Sequence, residues 1–180
     1  MRDRPIGGVF VGGASRRMGE PKGLLRGPDG RRLVERALAV LEEAGLEATL
    51  VGEHPAYAGM GPFVPDAEAD AGPLAGLVGL LEHAAGRRVV ALACDMPFVT
   101  AEDVRALLAI DAAIVAPKRE GRWEPLCASY GPEVLAVARA RLAQGRRSLT
   151  GLIEAVGATE APIEADHLVD WDSPEDITAS

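Results

Sequence analysis

Short apolar runs, separated by glycines and by amphipathic stretches, set the rhythm of this chain. Val9-Phe10-Val11 reads as a short buried strand. From about Leu33 to Ala44 the apolar residues fall at Leu33, Ala37, Leu38 and Leu41, with Gly45 as a stop, which is the spacing of an amphipathic helix. Thr49-Leu50-Val51 follows as a strand and Gly52 closes it. Strand, helix, strand is the βαβ unit and predicts a parallel sheet in an α/β fold. Pro73 suits the first position of a helix, where its missing N–H costs nothing. Ala75, Gly76 and Gly79 would let that helix lie close either to another backbone or to a planar ligand. Arg88 to Cys94 is the clearest buried strand, and Asp95-Met96-Pro97 ends it abruptly.

In the second half, Thr100-Ala101-Glu102-Asp103 has the form of a capping box with Asp103 at its third helical position, and predicts a structural helix through about Ala109. Ala113 to Ala116 reads as a strand, Lys118 to Arg122 as a polar turn, and Pro125 to Tyr130 as a further strand. A hairpin here would put Trp123 and Glu124 at its inner margin. Pro132 opens an alanine- and arginine-rich helix that ends near Gly145, and a short helix after Arg146-Arg147-Ser148 ends near Gly157. The arginine pair could hold a phosphate at that helix start, though a solvated surface pair is the commoner outcome. The chain closes on a predicted strand from His167 into Ser173, with Ser173 as N-cap, Pro174 as first helical residue and Asp176 at the capping-box position. Alternation places Asp170 and Asp172 on one face of that strand.

Composition narrows the function classes. The 180 residues suffice for one domain with a sizeable core, and the whole chain, 1–180, reads as one. A formal net charge of −8 disfavours a nucleic-acid binder. An acidic protein that handles a polyanion must concentrate its cations where the anion sits, as Arg16, Arg17 and Lys22 would do. Cys94 and Cys127 make neither a disulfide framework nor a zinc quartet, and two free thiols point to the cytoplasm. No signal pattern or membrane-spanning run is present in the sequence.

The chemistry concentrates just after the first strand, in Gly12-Gly13-Ala14-Ser15-Arg16-Arg17-Met18-Gly19-Glu20-Pro21-Lys22. Glycines let backbone N–H groups approach oxygens closely, and the basic side chains neutralise them, which is the composition of a phosphate-binding loop. It is neither a Walker A loop nor the dinucleotide fingerprint. The second candidate is Asp95. A carboxylate just past the carboxyl end of a central parallel strand stands where open α/β sheets bind ligands, and it is a hard ligand suited to Mg²⁺. A turn cap before Pro97 is the structural alternative.

Gly-Gly-x-x-x-Arg-Met-Gly-x-x-Lys after the first strand resembles the signature of the molybdenum cofactor guanylyltransferases. Asp66…Gly72-Pro73-Leu74-Ala75-Gly76, Ala93-Cys94-Asp95-x-Pro97 and Glu124-Pro125-Leu126-Cys127-Ala128-x-Tyr130 resemble further segments of that family, in its order and at similar spacing. The resemblance covers essentially the whole chain. It implies a three-layer, Rossmann-like nucleotide-diphospho-sugar-transferase fold, with a mostly parallel central sheet and one antiparallel strand. It also implies transfer of GMP from GTP to molybdopterin with release of pyrophosphate. Arg17 and Lys22 would then face the triphosphate and the transition state. Phe10, Val11, Gly12, Gly13, Gly52 and Asp66 would carry the nucleoside. Asp95, with Asp172, would hold Mg²⁺. Molybdoenzyme apoproteins or other cofactor-biosynthesis proteins would be partners, with no nucleic acid and no membrane. The chain departs from the family in having Gly52 where a polar residue is common. Asp170, Asp172 and Ser173 also stand where Asn, Asn and Thr are usual, and the Asp pair occurs in cytidylyl-transferring relatives. A cytidylyltransferase, another small-phosphate nucleotidyltransferase and a non-catalytic nucleotide-binding carrier therefore remain open. His54, His83 and His167 are scattered and predicted to be structural or surface residues.

Overall fold

The structure is a computed structural model that describes residues 4–11 and 21–171. Their strands are β1 (Ile6–Phe10), β2 (Glu47–Val51), β3 (Phe63–Val64), β4 (Val89–Ala93), β5 (Ile114–Ala116), β6 (Lys118–Arg119), β7 (Arg122–Trp123), β8 (Cys127–Tyr130) and β9 (Thr159–Glu160). The helices are α1 (Leu33–Glu43), α2 (Pro73–Ala84), α3 (Ala101–Ala109), α4 (Val134–Ala143) and α5 (Leu149–Val156). One seven-stranded sheet runs in the order β3-β2-β1-β4-β8-β5-β9. β8 is antiparallel to β4 and β5, and every other pairing in the sheet is parallel.

Strand periodicity divides the core in two. Ile6 and Phe10 of β1 and Val89 and Ala91 of β4 face the side covered by α2, α4 and α5. Val9 of β1 and Val90 and Leu92 of β4 face α1 and α3. The result is the expected three-layer α/β arrangement, with apolar residues on both faces of the sheet as parallel strands require.

Helix α1 spans the predicted window and α2 starts at Pro73 as predicted. The capping box of α3 is closed: Thr100 Oγ1 accepts from the Asp103 N–H at 3.3 Å, and Asp103 Oδ2 accepts from the Thr100 N–H at 2.8 Å. Gly79 of α2 serves backbone packing, because a Cβ there would stand 2.2 Å from the Pro65 carbonyl oxygen. The polar turn is a hairpin of its own, β6 against β7, with Glu120 at φ 52° and Gly121 at φ 78°. Both positive values fit the two-residue turn that matches strand twist.

Three expectations are corrected. Helix α4 begins at Val134, because Gly131 and Pro132 close a preceding turn through their carbonyls to Val134 and Leu135. The strand after the hairpin begins at Cys127 and not Pro125, because the Glu124 carbonyl accepts from the Cys127 N–H and closes a turn over Pro125 and Leu126. Among the described residues, 167–171 do not form a strand. Residues Ala165–Leu168 form a 3-10 turn, and Trp171 gives its N–H to the Asp95 carbonyl at 2.9 Å instead of to a ladder. The cap expected at Ser173, Pro174 and Asp176 lies outside the described residues.

Candidate active site

Strand β1 lies between β2 and β4, so the connections leaving it and returning to the sheet run to opposite sides. Such a switch point opens a crevice at the carboxyl ends of the strands. Phe10 and Val11 stand there at the end of β1, Gly52 after β2, Asp66 after β3 and Asp95 after β4. Because β8 is antiparallel, its entry brings Glu124 to Leu126 to the same edge, where the Ala93 N–H donates to the Leu126 carbonyl at 2.7 Å.

Lys22 meets Asp95 at this edge, Nζ to Oδ2 at 3.2 Å, each about one-fifth exposed (22% and 21%). Lys22 opens a 3-10 turn, Lys22–Leu24, whose Gly23 N–H donates to the Tyr57 hydroxyl oxygen at 3.1 Å. The turn after Asp95 is held from both sides. Arg36 of α1 donates to the Pro97 carbonyl, and Trp171 donates to the Asp95 carbonyl. Burial pushes the Asp95 carboxyl above its usual range; Lys22 pulls it back and Asp170 pushes it further up.

A second charged group adjoins the first. Arg119 of β6 reaches Asp170 at 2.7 Å and Glu124 at 3.3 Å. Burial raises the Glu124 carboxyl; Arg119 counteracts this, while Asp170 and Asp95 add to it. Lys118 lies over the Trp123 ring, 4.3 Å from its centroid, and Trp123 packs against the core, so this indole is a packing residue. Asp66 is raised first by burial and then by Asp70. It is placed by α2: Ala67 donates to the Ala75 carbonyl at 3.0 Å, and a Cβ at Gly76 would stand 3.1 Å from Asp66 Oδ1.

The structure thus brings Lys22 and Asp95 into contact and sets Phe10, Val11, Gly52 and Asp66 along one edge. Val11 and Gly52 have committed their N–H groups, to Val51 at 3.1 Å and to Val64 at 3.1 Å, so a backbone donor from either is already used. Gly12, Gly13, Arg16, Arg17 and Asp172 lie outside the described residues. Arg147 contacts the Asp70 carbonyl and Glu68 as an exposed side chain, which fits the surface reading of the arginine pair. His54 caps the Pro55–Tyr57 turn through Nδ1, and His167 pairs with Asp103 at 2.8 Å. Cys94 is pushed up to about 12 and Cys127 higher still, both chiefly by burial, so neither thiol suits nucleophilic work. Among the described residues no group of three or more His, Cys, Asp or Glu could hold a metal. Asp95 could supply one hard ligand to an ion completed by phosphate oxygens and water.

Sequence reasoning missed Arg36, Tyr57 and Arg119. Each acts across the fold from its neighbours in sequence, so no local spacing signalled it.

A three-layer α/β sheet with a lysine–carboxylate pair at its switch point defines a protein with a ligand crevice at the carboxyl ends of its strands. Residues 7–159 match the MobA-like NTP transferase domain. The chain belongs to the molybdenum cofactor guanylyltransferase family of nucleotidyltransferases. It is 34% identical to a probable molybdenum cofactor guanylyltransferase of Opitutus terrae, over 94% of this chain and 91% of that one. It is 33% identical to the molybdenum cofactor guanylyltransferase of Xanthomonas euvesicatoria, over 94% and 90%. Among solved structures it resembles molybdopterin-guanine dinucleotide biosynthesis protein A of Archaeoglobus fulgidus, with TM-score 0.78, 25% identity and coverage of 96% and 95%.

Proposed function

We propose that this protein transfers GMP from GTP to molybdopterin, and that the Lys22–Asp95 pair marks the centre of the reaction. The observation that carries the reading is this pair, 3.2 Å apart at the switch point of a sheet whose chain belongs to the guanylyltransferase family. A phosphate oxygen of molybdopterin attacks the α-phosphorus of GTP. The new P–O bond forms as the bond to the bridging α–β oxygen breaks, and pyrophosphate leaves with that electron pair. The attacking monoester has a second pKa of about 6 and is largely dianionic at neutral pH, so no general base is required. What the reaction requires is neutralisation and positioning.

Lys22 faces the phosphates in this reading, and Arg17 is assigned the same role from the sequence. Phe10, Val11, Gly12, Gly13, Gly52 and Asp66 carry the nucleoside. Gly52 does so through its carbonyl, since its N–H is bonded to Val64. Asp95, whose carboxyl is half-buried and lifted by burial, fits a Mg²⁺ ligand, and Asp172 is its proposed companion. Bound there, the ion would supply charge neutralisation on the phosphates. The whole chain acts as one nucleotidyltransferase domain in the cytoplasm and hands its product to molybdoenzyme apoproteins or to other cofactor-biosynthesis proteins. No helix of the described residues is long and apolar enough to cross a membrane.

The test is pyrophosphate release with molybdopterin and Mg²⁺, run side by side with GTP, CTP and ATP. Release with GTP alone is expected. Release with CTP would make Asp170 and Asp172 the better guide to the base. Nucleotide binding without release would move the protein to the carrier class.

A further inference from the structure

The buried residue with the most direct route to the site lies in the connection between β2 and β3. Tyr57 is 1% exposed, yet its hydroxyl reaches the backbone of the turn that carries Lys22. The Gly23 N–H donates to it at 3.1 Å, one residue from the lysine whose Nζ lies 3.2 Å from Asp95. A backbone N–H buried at this point needs an acceptor, and the tyrosine hydroxyl supplies it. The fit leaves no slack. A Cβ at Gly23 would stand 2.8 Å from both the hydroxyl and Cε1 of Tyr57.

Tyr57 is itself held. His54 Nδ1 accepts from the Ala56 N–H at 3.2 Å and caps the turn Pro55–Tyr57, and the His54 ring meets the Tyr57 ring edge-on with centroids 5.5 Å apart. Burial pushes the hydroxyl up to about 12, with Cys94 and Asp95 adding to the shift, so it remains a neutral phenol throughout the working range. The turn of Lys22 is otherwise short, three residues with no side-chain cap of its own.

We infer that Tyr57 is a positioning residue that fixes the Lys22 ammonium opposite Asp95 by accepting the Gly23 N–H and filling the space a side chain at Gly23 would take. The inference rests on the reading of Lys22 given above. It makes the β2–β3 connection part of the active site although it touches no reacting atom. A lysine ammonium on a flexible stem acts at a defined point only if its backbone is held, and displacements near 1 Å at a reacting centre cost up to about a hundredfold in rate.

The experiment is a double-mutant cycle on pyrophosphate release under single-turnover conditions, with thermal unfolding measured alongside. Tyr57→Phe keeps the ring and removes the acceptor. It should lower the single-turnover rate about ten- to hundredfold while the KM for molybdopterin, read from parallel steady-state assays, stays within about twofold. In a Lys22→Ala background the same change should cost less than about twofold, because there is no ammonium left to place. Gly23→Ala pushes on the same contact from the other side and should show the same loss and the same disappearance, so the inference stays testable even if Tyr57→Phe folds poorly. A Tyr57→Phe rate equal to wild type overturns it. So does a loss that multiplies with that of Lys22→Ala, which would mark Tyr57 as structural only. Full activity of Lys22→Ala alone would overturn the reading of Lys22 first, and the role of Tyr57 with it.

Discussion

Lys22 and Asp95 are far apart in the chain but form one electrostatic unit, so each has its own signature when changed. In the proposed reaction Lys22 is a preorganised cation facing developing charge, so Lys22→Ala should lower kcat by about 10²–10³. Steady-state turnover with GTP checks this, and an unchanged kcat would take Lys22 out of the mechanism. Asp95 has a different cost. Its carboxyl lies above the usual range because burial outweighs the pull of Lys22. The folded state therefore binds this proton more tightly than the unfolded chain. Ionisation costs stability as pH rises through the carboxylate range, and costs nothing below the unfolded value. Asp95→Asn cannot ionise and still offers an oxygen to Lys22. It should melt above wild type at neutral pH, and the gap should close as pH falls through the carboxylate range. The same variant should lose Mg²⁺-dependent activity, a trade of function for stability. Melting curves across that range decide it, since a gap independent of pH would mean that Asp95 is not strained by its charge. Both residues were legible in the sequence, because a loop after the first strand and a carboxylate ending a buried strand have fixed positions in such sheets. Arg36 and Arg119 were not, because their partners come from other elements.

At the scale of elements, α2 does the positioning. Gly76 and Gly79 let it settle against the exit of β3, which leaves room for Asp66 Oδ1 beside Gly76. Gly79→Ala would drive a methyl into the Pro65 carbonyl, 2.2 Å away, and backbone cannot give as a side chain can. The expected cost is about 1–3 kcal/mol, typical of overpacking, together with a raised KM for GTP as Asp66 is displaced. Chemical denaturation and nucleotide titration read the two effects separately, and a stability equal to wild type would show that the helix can shift freely. The helices were legible in advance because α1 shows its 3.6-residue periodicity and α3 its capping box. Strands of two residues, β3 and β9, were not: they are too short to carry a period of two, and parallel neighbours alone define them. The expected strand after His167 shows the converse. Its apolar run was real, but Leu168 and Trp171 are buried while Val169 is 38% exposed, so burial follows the packing of a 3-10 turn and not the alternation of a strand.

Across the whole molecule, the C-terminal segment returns to the centre of the sheet and joins elements that are distant in sequence. Trp171 is 2% exposed, packs edge-on against Phe98 with centroids 6.1 Å apart, and bonds to the backbone of Asp95. Asp170 beside it is clasped by Arg119 of the hairpin. Trp171→Ala should cost about 3–5 kcal/mol and weaken Mg²⁺ binding by loosening the Asp95 turn. Unfolding by denaturant and metal titration of the surviving fold provide the check. Metal affinity unchanged in a folded variant would show that the Asp95 turn is held by Arg36 and the strand alone.

By itself the sequence determined the α/β class, the parallel βαβ start, the helices with clear periodicity or caps, and the two residues that meet at the strand edge. These are local facts, set by spacing, by turn chemistry and by where a buried run stops. Only the tertiary structure decided that β8 inserts antiparallel between β4 and β5, that Glu124 and Asp170 share Arg119 beside Asp95, and that Tyr57 supports the turn of Lys22. Apart from Arg119 with Glu124, those relations join residues distant in sequence. Their energy comes from desolvation and from pairing of buried polar groups, which no local pattern encodes and which exists only once the layers close.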